Sequence, residues 1–136
     1  MTEDIEEIRE RKLEELRERA EEDDDADDAP TEPIAVAGAA DLESTTDEHG
    51  VVLVDFYADW CGPCQMLEPV VETIAEETEA AVAKVDVDAN QQLAAEYGVR
   101  GVPTMVLFAD GEPVERLVGM QDESKLRTLV SSHTGA

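Results

Sequence analysis

A chain of 136 residues suffices for one domain with a tail, and 35 acidic against 10 basic residues give it a net charge of −25. This charge argues against binding to DNA or RNA, since neutralising phosphates requires a basic surface. No stretch approaches the roughly 18 consecutive apolar residues of a membrane span, and the charged first thirty residues hold no apolar segment for a secretory signal. We therefore expect a cytoplasmic monomer that binds neither nucleic acid nor a membrane.

The first segment, residues 1–33, is predicted to be an acidic helical extension followed by a linker. Apolar residues recur at helical spacing over 1–22, and Glu–Arg pairs four residues apart favour a helix there. The aspartate run at 23–28 and the prolines that follow cannot continue it. A solvated extension is the first interpretation, and docking onto a partner or a second copy is the alternative.

The acidic charge extends over both segments. Residues 1–33 carry 16 acidic and 5 basic residues, and residues 34–136 carry 19 and 5, so the net charges are −11 and −14. If the acidic residues served only to bind a partner through the tail, residues 34–136 would be expected to have an ordinary net charge. Because salt screens such self-repulsion, the composition favours a halophilic protein from a salt-rich cytosol.

Residues 34–136 alternate between strand and helix patterns. We predict strands at 34–37, 51–58, 81–87, 104–108 and 114–118, and helices at 40–49, 61–79, 90–97 and 124–132. Strands separated by helices form parallel crossovers, whereas Asp110–Gly111 predicts an antiparallel hairpin. The expected fold class is α/β, a mixed central sheet with helices on both faces.

The two cysteines of the chain lie three residues apart in Trp60-Cys61-Gly62-Pro63-Cys64, where a predicted strand passes into a helix. A zinc site needs four ligands, and His49 and His133 are not at suitable spacing, so no metal is expected. A bridge across so short a loop adds little stability. Cytosolic disulfides are usually transient or catalytic, so the pair predicts reversible redox chemistry. The histidines are assigned solvated surface positions.

The sequence resembles the thioredoxin family over roughly residues 34–133. Besides the segment 60–64, the resemblance is carried by Val54-Asp55-Phe56, Pro69, residues 83–88, residues 97–104 with their Gly-Val-Pro-Thr, and Val118-Gly119. Tyr57, Asp59 and Gln65 depart from the usual family pattern, and the N-terminal extension lies outside it. The resemblance implies a thioredoxin domain at 34–136 that reduces disulfides in cytosolic client proteins. Its electrons would come from a thioredoxin reductase, with no cofactor beyond the Cys61–Cys64 disulfide.

Within that resemblance the two sulfurs have different expected roles. Cys61 should begin the helix, where free N–H groups and the helix dipole lower the pKa of a thiol, so we expect it to be the attacking nucleophile. Cys64, one turn on and more buried, should then attack Cys61 and release the product. Gly62 and Pro63 keep the turn tight and should tune the redox potential.

Asp55 is the third expected catalytic residue. It interrupts an apolar strand six residues before Cys61, so it should lie buried beneath the thiols, where burial raises the pKa of a carboxyl. The resemblance implies that it accepts the proton of Cys64, with Lys84 nearby as a further tuning residue. A buried carboxyl with purely structural hydrogen bonds is the alternative.

A shallow apolar surface around Cys61 is expected to bind client proteins by strand addition. Its predicted members are Trp60, Val102, Pro103, Thr104 and Gly119. Members of the family hold the peptide bond before the proline in cis. Two alternatives to the reductase remain open: a net disulfide oxidase or isomerase, and a redox-sensing binding module recruited through the N-terminal helix.

Overall fold

The computed structural model describes residues 30–134, and the helix predicted over 1–22 lies outside them. The strands are β1 (Ile34–Ala35), β2 (Val51–Tyr57), β3 (Ala81–Asp86), β4 (Thr104–Ala109) and β5 (Glu112–Val118). The helices are α1 (Ala39–Glu48), α2 (Gly62–Glu77), α3 (Gln91–Glu96) and α4 (Glu123–Thr134). All nine elements predicted for residues 34–136 are present, and their ends differ from the predictions by at most two residues.

The five strands form one mixed sheet in the order β1-β3-β2-β4-β5. β3 pairs in parallel with both β1 and β2, because helices connect these strands. β4 pairs antiparallel with β2 and with β5. The predicted mixed sheet flanked by helices is confirmed, and β2, which leads to the cysteines, lies at its centre.

β2 is covered on both faces, as its continuous apolar run predicts. Val51 and Leu53 pack in a core with residues of α2 and α4, including Leu67, Ile74 and Leu126. The alternate side chains of β2 pack in a second core with residues of α1 and α3. Asp55 and Tyr57 continue the series of Val51 and Leu53, so they point towards α2.

The predicted hairpin joins β4 to β5 at Asp110–Gly111. Both residues have positive φ, 53° and 83°, as a two-residue turn of type I′ requires. Glycine and aspartate tolerate this conformation better than most residues, which explains their presence here. Within residues 30–134, no helix has the length and apolar character needed to cross a membrane.

Candidate active site

Cys61 and Cys64 form a disulfide at the N-terminus of α2, with their Cα atoms 5.2 Å apart. Cys61 is the N-cap residue, and its Sγ accepts a hydrogen bond from the Cys64 backbone N–H at 3.1 Å. Pro63 occupies the first turn, where its missing N–H leaves no helical bond unmade. Backbone N–H groups therefore point towards the Cys61 sulfur, and a negative charge on that sulfur would be stabilised by them.

Both cysteines are buried, with 4% of Cys61 and 3% of Cys64 exposed. We expected Cys64 to be the more buried of the two, and the structure does not separate them in this way, since both pack with Ala58 and against Val102. What separates them is position. Cys61 caps the helix, whereas Cys64 lies within its first turn.

A cavity of about 300 Å³ lies beside Cys64. Its lining includes Tyr57 at the end of β2, Asp59 in the following turn, and Gln65 and Glu68 from α2. Gln65 Nε2 donates to the Asp59 carbonyl at 2.9 Å and so fixes the turn that precedes the cysteines. Polar side chains therefore line the space beside Cys64. In the part of the chain that the structure describes, no cluster of three His, Cys, Asp or Glu residues could hold a metal ion.

Asp55 is completely buried in β2. Neither of its carboxylate oxygens has a hydrogen-bond partner among the described residues. Its pKa is raised from 3.8 to about 6, chiefly by burial, with the Lys84 charge opposing the rise and the Glu68 charge adding to it. The carboxyl therefore exchanges its proton much closer to neutral pH than an ordinary aspartate does.

Lys84 lies in β3 in register with Asp55, so the two share a face of the sheet as expected. Its Nζ is 2.6 Å from Glu68 Oε1 on α2 and lies 4.4 Å from the centre of the Tyr57 ring. The ammonium is thus hydrogen-bonded to Glu68, while both Asp55 oxygens lack such a bond.

Trp60 is the most exposed of the predicted client-binding residues, at 72%. Its Nε1–H donates to Asp88 Oδ2 at 2.9 Å. This bond fixes the orientation of the indole beside Cys61 and leaves most of the ring in solvent. Val102 is partly buried and packs against the cluster of Ala58, Cys61 and Cys64 from the loop before β4.

Pro103 and Thr104, which we expected on the client-binding surface, are buried. Thr104 begins β4, and its hydroxyl donates to the Gly101 carbonyl at 2.7 Å. The Val102–Pro103 peptide bond is cis, and the Pro103 carbonyl accepts the Gly119 N–H at 2.8 Å. These two hydrogen bonds fix the loop that carries Val102.

Three residues near the site were absent from the sequence predictions. Asp88 orients Trp60, Glu68 pairs with Lys84, and Met120 is half exposed directly after Gly119. Of these, Glu68 had a signal in the sequence, because it follows Cys64 by four residues and so shares a face of α2 with it. Asp88 and Met120 had none, since their neighbours depend on the tertiary fold.

Comparison with known proteins gives consistent matches. The family model described as Thioredoxin matches residues 34–132. A thioredoxin of Chlamydia muridarum is 49% identical over 85 residues, which are 62% of this chain and 83% of that protein. A thioredoxin of Staphylococcus aureus is 46% identical over 96 residues, 69% of this chain and 91% of that protein. The solved structure of a mutant thioredoxin from Halobacterium salinarum has 66% identity and a TM-score of 0.77, covering 78% of this chain and 94% of that one.

Proposed function

This chain belongs to the thioredoxin family, and on that premise we propose that Cys61 attacks the disulfides of client proteins while Cys64 resolves the resulting mixed disulfide. The protein is a thiol–disulfide oxidoreductase of the protein-disulfide reductase type. The observation that carries the division of roles is the Cys61 Sγ, which caps α2 and accepts the Cys64 N–H.

In the first step the Cys61 thiolate attacks one sulfur of a client disulfide. The Cys61–client S–S bond forms, the client's own S–S bond breaks, and its second sulfur leaves as a thiolate that takes up a proton. The free N–H groups at the start of α2 favour the thiolate form of Cys61 over the thiol. Gly62 and Pro63 support this step by keeping the turn short, and they tune the redox potential.

In the second step the Cys64 sulfur attacks Cys61 Sγ. The Cys61–Cys64 bond forms and the Cys61–client bond breaks, so two electrons have passed from the dithiol to the client. Cys64 must first lose its proton, and the buried Asp55 is the proposed acceptor, directly or through a water molecule. A pKa of about 6 suits this carboxyl to proton exchange near neutral pH.

Client proteins bind at the rim formed by Trp60, Val102 and Gly119, with Pro103 and Thr104 supporting the loop. Trp60 supplies the large exposed ring, fixed by Asp88, and large fixed aromatic rings often dominate binding energy at interfaces.

A thioredoxin reductase returns electrons to the disulfide, as the family implies in general. We place the protein in a salt-rich cytoplasm as a monomer, on the strength of its acidic composition. Neither the family match nor the disulfide supports the oxidase or binding-module alternative.

Insulin reduction driven by dithiothreitol tests the reductase without its natural electron donor. We expect the native chain to accelerate insulin precipitation many-fold, and we expect Cys61→Ser to abolish the acceleration while its circular dichroism spectrum stays unchanged. The variant Ser132→Ala, at an exposed position on α4, is a matched control that should behave as the native chain does. Equal insulin reduction by the native chain and by Cys61→Ser would contradict the proposal.

A further inference from the structure

We propose that Glu68 is a positioning residue that engages Lys84 in an ion pair and thereby sets how firmly Asp55 holds the proton it takes from Cys64. This inference rests on the proposed function, in which Asp55 is the proton acceptor. Glu68 itself touches neither sulfur nor client. It acts through Lys84 and through its own charge.

The fold brings four groups together between α2 and the sheet. Asp55 and Lys84 are register partners on neighbouring parallel strands and point to the same face. Cys64 and Glu68 are four residues apart on α2, so they lie one turn apart on the same face of this helix. Both also line the cavity of about 300 Å³. Glu68 therefore sits one turn below the resolving cysteine and above the lysine next to Asp55.

Among residues 30–134, few charged groups act on Asp55. Lys84 of β3, Glu68 of α2 and Tyr57 at the end of β2 interact with its charge. Lys84 in turn lines a surface cavity with Glu32, Glu72 and Glu76. The remaining neighbours are apolar: Met105 of β4 is the other register partner of Asp55, and α4 contributes Leu126 and Val130 to this core. Lys84 is the cation whose charge acts on Asp55.

Glu68 competes with Asp55 for that cation. Lys84 Nζ lies 2.6 Å from Glu68 Oε1, and both Asp55 oxygens are left without a hydrogen bond among the described residues. An ammonium paired with another carboxylate stabilises the Asp55 carboxylate less than an unpaired one would. The direction of the Asp55 pKa agrees with this, since the Glu68 charge adds to its rise.

The exposure of the pair is unequal, with 16% of the Lys84 side chain and 53% of the Glu68 side chain accessible. Glu68 can therefore be replaced without creating a cavity in the core, so a change in the Asp55 midpoint would not arise from altered packing. Its half-exposed carboxylate is also screened by salt, so its influence on Asp55 should be largest at low ionic strength.

The direct test is a carboxyl ¹³C NMR titration of Asp55 in the oxidised protein. In Glu68→Gln we expect the titration midpoint to fall by about one pH unit, as for a carboxylate that gains an unpaired cation nearby. Glu43→Gln removes the same charge from an exposed position on α1, which packs on the other face of the sheet, and should leave the midpoint in place. A midpoint in Glu68→Gln equal to that of the native chain, or an equal fall in both variants, would overturn the inference.

A second comparison isolates the lysine. In a Lys84→Met background, the further change Glu68→Gln should lower the Asp55 midpoint by less than it does in the native background. An equal fall in both backgrounds would overturn the part assigned to the Lys84 ion pair.

Kinetics then separate this inference from the proposed function. If Asp55 accepts the proton, the rate at which client thiol is released from the mixed disulfide has a pH profile that depends on Asp55. In Glu68→Gln this profile should shift to lower pH by the same amount as the NMR midpoint. If Asp55→Asn leaves the pH profile of that release unchanged, the proton-acceptor role of Asp55 fails. In that case the NMR comparison still decides whether Glu68 controls the titration midpoint of Asp55.

Discussion

Replacing Asp55 by asparagine should stabilise the protein at neutral pH. The folded state raises the pKa of this buried carboxyl from 3.8 to about 6, so it favours the neutral acid. The free energy of unfolding therefore includes a favourable contribution from Asp55 that is fully present below about pH 4 and is lost as the pH rises through about 6. It is lost because, over this range, Asp55 ionises more readily in the unfolded chain than in the folded protein. From these two values the destabilisation is about 1 kcal/mol at pH 4.5 and about 3 kcal/mol at pH 8. Asparagine has a similar shape and cannot ionise, so it avoids this loss.

The assay is urea unfolding of oxidised native chain and Asp55→Asn at fixed molar KCl, from pH 4.5 to pH 8. We expect the variant to be more stable throughout, with a difference that grows with pH to about 3 kcal/mol. Ser132→Ala serves as the control for handling and should follow the native curve. The reasoning is refuted if the two proteins unfold at the same urea concentration at pH 8, or if their difference does not grow with pH.

Three further predictions concern catalysis, binding and salt. Cys64→Ser should accumulate a mixed disulfide between Cys61 and a client, visible on a non-reducing gel, and its absence would argue against the two-step mechanism. Trp60→Ala should lower kcat/KM for insulin by roughly thirtyfold, since a binding residue of this kind contributes about 2 kcal/mol, whereas an unchanged value would remove Trp60 from the client surface. The urea midpoint of the native chain should rise between low and molar KCl because salt screens its net charge of −25, and a constant midpoint would contradict salt adaptation.

Local patterns in the sequence predicted most of the fold. The near-continuous β-branched run at 51–54 predicted a strand covered on both faces, and the structure places β2 at the centre of the sheet. Asp110–Gly111 satisfies a turn whose two central residues need positive φ, so the hairpin followed directly from residue type. The start of α2 at Gly62 was similarly constrained by Pro63, which fits the first helical turn and few other helical positions.

Residue patterns alone could not predict contacts that depend on which strands become neighbours, and Lys84 was expected near Asp55 only from the family resemblance. Lys84 meets Asp55 only because β3 pairs with β2 in one particular register, and it meets Glu68 only because α2 packs over that pair. The burial of Pro103 and Thr104 has the same origin, since it depends on Gly119 closing over the loop from β5. Both cysteines belong to one buried cluster, and Val102, which is distant in sequence, packs against this cluster.

The most direct measurement of the central claim is alkylation of the native protein after reduction with dithiothreitol, mapped by mass spectrometry over a range of pH. We expect iodoacetamide to modify Cys61 well before Cys64, and we expect reoxidation beforehand to protect both sulfurs. Two unreactive cysteines in the reduced native protein, or faster modification of Cys64, would contradict a reversible disulfide in which Cys61 is the nucleophile.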